Sequence, residues 1–139
     1  MSVRVADRGE GKLQVLNKSR ILLDYTFDRV TSDKTFPKSV RWLLPRDIWR
    51  EAESADACID MANAIYVDGR KDLDERRRLQ KEARGHLKHL ERLIGLAYRK
   101  HYIAANQAEY WGKLVAETQQ TLGAWMRSDL KRYEEINKQ

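Results

Sequence analysis

The residues best placed for chemistry in this chain are cations. Arg77, Lys81, Arg84, Lys88, Arg92 and Arg99 follow one another at helical intervals. At about 100° per residue they fall within about 80° of a helical wheel. Leu79, Ala83, Leu90, Ile94 and Ala97 lie on nearly the opposite side. Such a stripe would run about 30 Å along the helix. Like charges at i,i+4 destabilise an isolated helix by about 0.2–0.5 kcal/mol per pair, and surface helices ordinarily intersperse acids to relieve this. A stripe of one sign therefore points to a polyanionic partner; the competing reading is an ordinary solvated face. A helix of this kind reaches phosphates rather than base edges, so little sequence discrimination is expected. Gly95 falls inside the cationic sector and would admit a phosphate or a partner backbone, while Glu91 at its margin is the nearest acid.

The charge balance singles out the same segment. The chain of 139 residues has a formal net charge of +6. Residues 1–69 and 102–139 are each neutral overall, whereas residues 70–101 carry eleven basic and five acidic side chains. A concentrated basic surface attracts polyanions, among which nucleic acid is the commonest in cytoplasm.

Other chemistry is thinly represented. His86 and His89 stand at i,i+3 and could ligate a metal, but no Asp, Glu or Cys has the matching spacing and no Glu-x-x-His pair exists, so no metal or cofactor is expected. No glycine-rich phosphate loop, nucleophile elbow or paired-carboxylate site is apparent, which argues against an enzyme. The single Cys58 excludes a disulfide framework and reads as a small core residue. Trp42, Trp49, Trp111 and Trp125 read as core or interface anchors.

Apolar spacing supplies the elements that must hold these side chains. Residues 1–11 are polar and without period, and read as a flexible N-terminal arm. Leu13, Leu16, Leu23, Phe27 and Val30 predict a first helix over about 12–32. Pro37 restarts the chain into a short helical turn over residues 38–44, and Pro45 either kinks that turn or begins the next helix. A second helix runs to about residue 68 on Leu44, Ile48, Ala52, Ala55, Ile59, Ala62 and Tyr66, with Gly69 as a left-handed C-cap. Asp72 and Glu75 suggest a capping box at the start of a third helix over about 73–101. The fourth carries Trp111, Leu114, Val115, Thr118, Leu122, Trp125 and Met126. Four helices with short links predict an all-α, up-down-up-down antiparallel four-helix bundle over residues 12–135. No apolar run reaches the roughly 18 residues of a membrane span, and no apolar leader marks secretion. A cytoplasmic protein without membrane contact is expected.

Three motifs in order carry a resemblance. They are Phe36-Pro37-Lys38 with Arg41-Trp42, then Met61-Ala62-Asn63-Ala64-Ile65-Tyr66, then Leu122-Gly123-Ala124-Trp125-Met126-Arg127-Ser128. Over roughly residues 12–130 the chain resembles two related groups of small four-helix-bundle proteins. One is the accessory variability determinants (Avd) of diversity-generating retroelements. The other is the proteins encoded in intervening sequences of bacterial 23S rRNA genes. The Avd resemblance implies a non-catalytic, basic, homopentameric barrel that binds a reverse transcriptase and its template RNA and supports mutagenic cDNA synthesis; phosphate contacts of this kind would also accept DNA. Two of the third-helix contact positions of that family, counted back from Gly123 and Trp125, fall on Lys88 and Arg92. The intervening-sequence resemblance implies instead an RNA-binding bundle without a polymerase partner.

Overall fold

The computed structural model describes the chain from Val5 to Lys138. Among the described residues it is all-helical, with four long helices: α1 (Val5–Val30), α2 (Leu44–Ala64), α3 (Arg70–Arg99) and α4 (Ala105–Arg132), followed by a single turn, α5 (Glu134–Asn137). The first helix thus reaches back into the segment read as an arm. α1 packs against α2 and α4, and α3 against the same two, so the four form a closed square around one core. Pro45 begins α2 rather than kinking a preceding helix, and a 3-10 turn at Lys38–Val40 occupies the link before it. Phe36 from that link is buried and packs on Tyr102 from the α3–α4 link, with centroids 5.6 Å apart, closing one end of the core.

The stripes predicted for α2, α3 and α4 supply most of the core. Ile48, Ala52, Ala55, Ile59 and Ala62 are buried, as are Leu79, Ala83, Leu87, Leu90, Ile94 and Ala97, and on α4 Trp111, Leu114, Val115, Thr118, Leu122 and Trp125. On α1 the fully buried positions are Val15, Ser19, Leu22 and Thr26, about one residue round the helix from the expected stripe, of which Leu16, Leu23 and Val30 are half-buried against the core and Phe27 is 52% exposed. The physical reason is that two of those inward positions are polar but satisfied. Ser19 Oγ donates to Asp56 Oδ1 at 2.7 Å, and Thr26 Oγ1 accepts from the Trp111 indole N–H at 3.0 Å. Apolar periodicity cannot register a core position filled by a bonded hydroxyl.

Three expected boundaries also move. α2 stops at Ala64, because Ile65 turns into extended backbone, and Tyr66 is 84% exposed beyond it. Gly69 is not a left-handed cap; it is extended and precedes α3 directly. Asp72 does not cap the third helix from outside but lies in its first turn, where its carboxylate accepts from the Asp68 backbone N–H at 3.0 Å, and Glu75 is drawn to Arg78. At the other end, α3 closes in a Schellman motif. Tyr102 N–H reaches Ala97 O and His101 N–H reaches Tyr98 O, with His101 taking the left-handed position at φ 66° that glycine usually fills.

What stops α2 is also what sets the rotation of α3. Arg76 is 1% exposed. Its guanidinium donates to the carbonyls of Ala62 (3.3 Å) and Ile65 (2.8 Å) at the end of α2, and to both carboxylate oxygens of buried Asp129 on α4 at 3.2 and 3.3 Å. Gln80 donates to the same carboxylate at 3.0 Å. One side chain thereby ties α2, α3 and α4.

Breaking such a pair from one side strands a charge in the core, at a cost of about 3–5 kcal/mol. Asp129→Ala should lower unfolding free energy by that order in urea titrations. The double change Arg76→Met with Asp129→Leu should cost clearly less. Equal losses for single and double variants would show that the pair is not coupled.

Candidate nucleic-acid interface

The basic residues of α3 meet three different fates. Arg76 is consumed in the core. Arg70 pairs with Asp74 at 3.1 Å, and Arg78 is clasped between Glu75 and Glu82. Hydrogen bonding to Glu75 is the main reason that the Arg78 guanidinium is held above its ordinary range, and the same bond holds the Glu75 carboxyl below its own. These pairs lie on the flank of α3 and discharge it locally.

Apart from exposed Lys71 in the first turn, the predicted stripe is the remainder. Lys81, Arg84, Lys88, Arg92 and Arg99 are all exposed, and among the described residues none of them has an ion-pair or side-chain hydrogen-bond partner. Arg77 is half-buried and donates to Asn137 Oδ1 at 2.9 Å, so α5 covers the start of the stripe. Glu91, the acid at the margin of the cationic sector, accepts from Gln119 of α4 at 3.2 Å. The cations stand outward because Leu79, Ala83, Leu87, Leu90, Ile94 and Ala97 occupy the inward face of the same helix.

Lys81, Arg84 and Lys88 also line a shallow groove of about 490 Å³ with Gly85, and Gln119 reaches it from α4. Gly85 forms an open floor, since a Cβ there would meet nothing within 4 Å. Gly95 behaves otherwise: the Arg99 guanidinium lies 3.4 Å from where its Cβ would be and covers it. The open backbone expected at Gly95 is thus found at Gly85. Gly85 was legible as a neighbour of Lys81 and Lys88 on the wheel, while Gln119 belongs to another helix and carried no signal. A groove with three cations and an amide can hold phosphate oxygens, the lysines as point charges and the arginine as a planar fork.

His86 and His89 find their partner on α2. Glu51 accepts from His86 Nδ1 at 2.8 Å and from His89 Nδ1 at 3.2 Å. Burial alone would raise the Glu51 carboxyl. The hydrogen bonds and charges of the two histidines outweigh it and hold the group below its ordinary value of 4.5. Cys58 is buried beside Glu82, 3.8 Å away, and burial, reinforced by that carboxylate, pushes its thiol up. Among the described residues no three His, Cys, Asp or Glu side chains are arranged to hold a metal ion, and no helix is long and apolar enough to cross a membrane.

A carboxyl depressed on folding stabilises the native state above its unfolded pKa, and that contribution is lost as pH falls through the folded value. The stability difference between the native chain and Glu51→Gln should therefore be full at pH 6 and shrink steadily below about 4.5. Urea midpoints measured from pH 6 to pH 3 check this, and a gap that stays constant over the range would contradict it.

Comparison with known proteins brings no further constraint: no protein-family model, curated protein or solved structure matches the chain.

Proposed function

We propose that this protein is a non-catalytic accessory factor that binds nucleic acid, preferentially RNA, through the phosphate contacts of α3. The observation that carries the reading is the run of unpartnered cations Lys81, Arg84, Lys88 and Arg92 on a helix where acids neutralise only Arg70, Arg76 and Arg78 among the described residues. Leaving four like charges unrelieved has no benefit for folding. It does have one for association, because each phosphate neutralised releases condensed counterions. Lys88 and Arg92, the two positions implied by the resemblance to the Avd proteins, lie within this run. On that resemblance, the partner held alongside the RNA is the reverse transcriptase of a diversity-generating retroelement, and the bundle supports mutagenic cDNA synthesis.

Two architectural readings accompany the proposal. Paired residues run in opposite numerical order at each seam: Ser19 with Asp56, Phe27 with Trp49, Arg76 with Ala62, His86 with Glu51, Asp129 with Arg76, Gln119 with Glu91, Lys18 with Glu117 and Thr26 with Trp111. This supports the up-down-up-down antiparallel course. Trp42 is 73% exposed, with Leu43 and Tyr110 also bare. That supports burial of these residues in a homo-oligomer, a pentamer by the resemblance. A monomeric mass by light scattering at micromolar concentration would remove the oligomer.

Lys88→Glu with Arg92→Glu should abolish binding of a fluorescent RNA in anisotropy titrations and leave the far-ultraviolet circular dichroism unchanged. For the native chain, log Kd should rise with log salt, and Lys88→Ala should reduce that slope by about 0.7 for a single strand. Unaltered affinity of the double variant at moderate salt would refute the interface. Capture of a reverse transcriptase by the native chain supports the retroelement role; RNA binding without such capture favours the intervening-sequence type.

A further inference from the structure

A second pocket lies in the seam between α1 and α2, on the opposite side of the square from the α3–α4 groove. It encloses about 200 Å³, with walls of Phe27 and Val30 from the end of α1, Pro45 and Trp49 from the start of α2, and the side chains of Arg41 and Arg46. The Phe27 and Trp49 rings meet edge to face, 5.6 Å between centroids and 72° between planes. In that arrangement the edge of one ring meets a face of the other, so each ring keeps at least one face clear of its partner. Phe27 keeps more than half its surface in solvent. No carboxylate lines the pocket, and among the described residues neither Arg41 nor Arg46 has a side-chain partner.

Aromatic walls beside two unpaired guanidinium groups fit a ligand with a flat apolar body and an anionic end. The volume is below the roughly 300–1,000 Å³ of sites for drug-sized molecules, which limits the body to about one planar ring system. Bases stack on aromatic side chains irrespective of their identity, and arginine forks match phosphate oxygens. We propose that this pocket binds one nucleoside monophosphate unit, its base against Phe27 and Trp49 and its phosphate at Arg41 and Arg46. The unit is either a free nucleotide or the unpaired phosphorylated end of a strand. The site shares no residue with the α3 groove and does not rest on the reading of that groove.

Isothermal titration of the full chain with adenosine 5′-monophosphate tests it, with adenosine and inorganic phosphate as separate probes. The nucleotide should bind saturably, one per chain, and at least tenfold more tightly than either fragment. Phe27→Ala, and Arg41→Glu with Arg46→Glu, should each weaken it at least tenfold. Phe27→Leu preserves apolar bulk in case the alanine variant misfolds, and should weaken it similarly. In a Lys81→Glu, Lys88→Glu background, which removes the α3 groove as a source of binding, the nucleotide should bind as before. There, a 5′-phosphorylated tetraadenylate that binds more tightly than the mononucleotide identifies a strand end, and equal affinity identifies a free nucleotide. No saturable binding, phosphate binding as tightly as the nucleotide, or indifference to the Phe27 and arginine changes would overturn the site. Because the RNA titration and the nucleotide titration use different residues, either can fail alone.

Discussion

The buried pair of Arg76 and Asp129 is the constraint on which the rest of the molecule depends. Both side chains are 1% exposed, and the guanidinium also lies over the rings of Trp125 and Tyr133, 5.5 and 5.8 Å from their centroids. Such a pair gains little net stability over an apolar one, since desolvation offsets its Coulomb attraction. Its effect lies in what it forbids. Any slip or rotation of α3 that withdraws Arg76 leaves Asp129 charged and buried, and leaves the last carbonyls of α2 without donors. The heptad spacing of Leu73, Arg76, Gln80, Ala83, Leu87, Leu90, Ile94 and Ala97 then carries the same inward face along the whole helix.

With α3 fixed in this rotation, the position of the positive charge follows. Three consecutive arginines illustrate it. Arg76 points in and is neutralised by Asp129; Arg77, one step round, meets Asn137; Arg78, a further step, faces Glu75 and Glu82. Beyond them no acid reaches Lys81, Arg84, Lys88 or Arg92 among the described residues. The field that would attract a polyanion thus comes from roughly the middle of α3, not from its basic N-terminal run. That run contributes much of the formal charge of residues 70–101 and little of the unpaired surface.

Much of this was legible in the residues, for reasons that differ by helix. α2, α3 and α4 announce their inward faces because those faces are largely apolar, and the cationic stripe follows from the α3 face by geometry alone. α1 misleads by about one position because its inward Ser19 and Thr26 are polar and give no apolar signal. Arg76 was hidden in a run of arginines that reads as surface. Yet it occupies a heptad position on α3, and Asp129 occupies one on α4 after Thr118, Leu122 and Trp125. Opposite charges on two core stripes are the signal that identifies such a pair. The partner of His86 and His89 could not be found by spacing, because Glu51 reaches them from another helix. The same limit hides Gln119 and the α1–α2 pocket, which exist only once helices are placed side by side.

The central claim is that nucleic acid is held along one face of α3 by cations that folding leaves unpaired. Lysine acylation footprinting with and without RNA, read residue by residue by mass spectrometry, tests it most directly. The account predicts that RNA protects Lys81 and Lys88 strongly, while Lys18 and Lys34, on the α1 side of the square away from α3, keep their reactivity. Protection spread evenly over the lysines, or absent from Lys81 and Lys88, would contradict it.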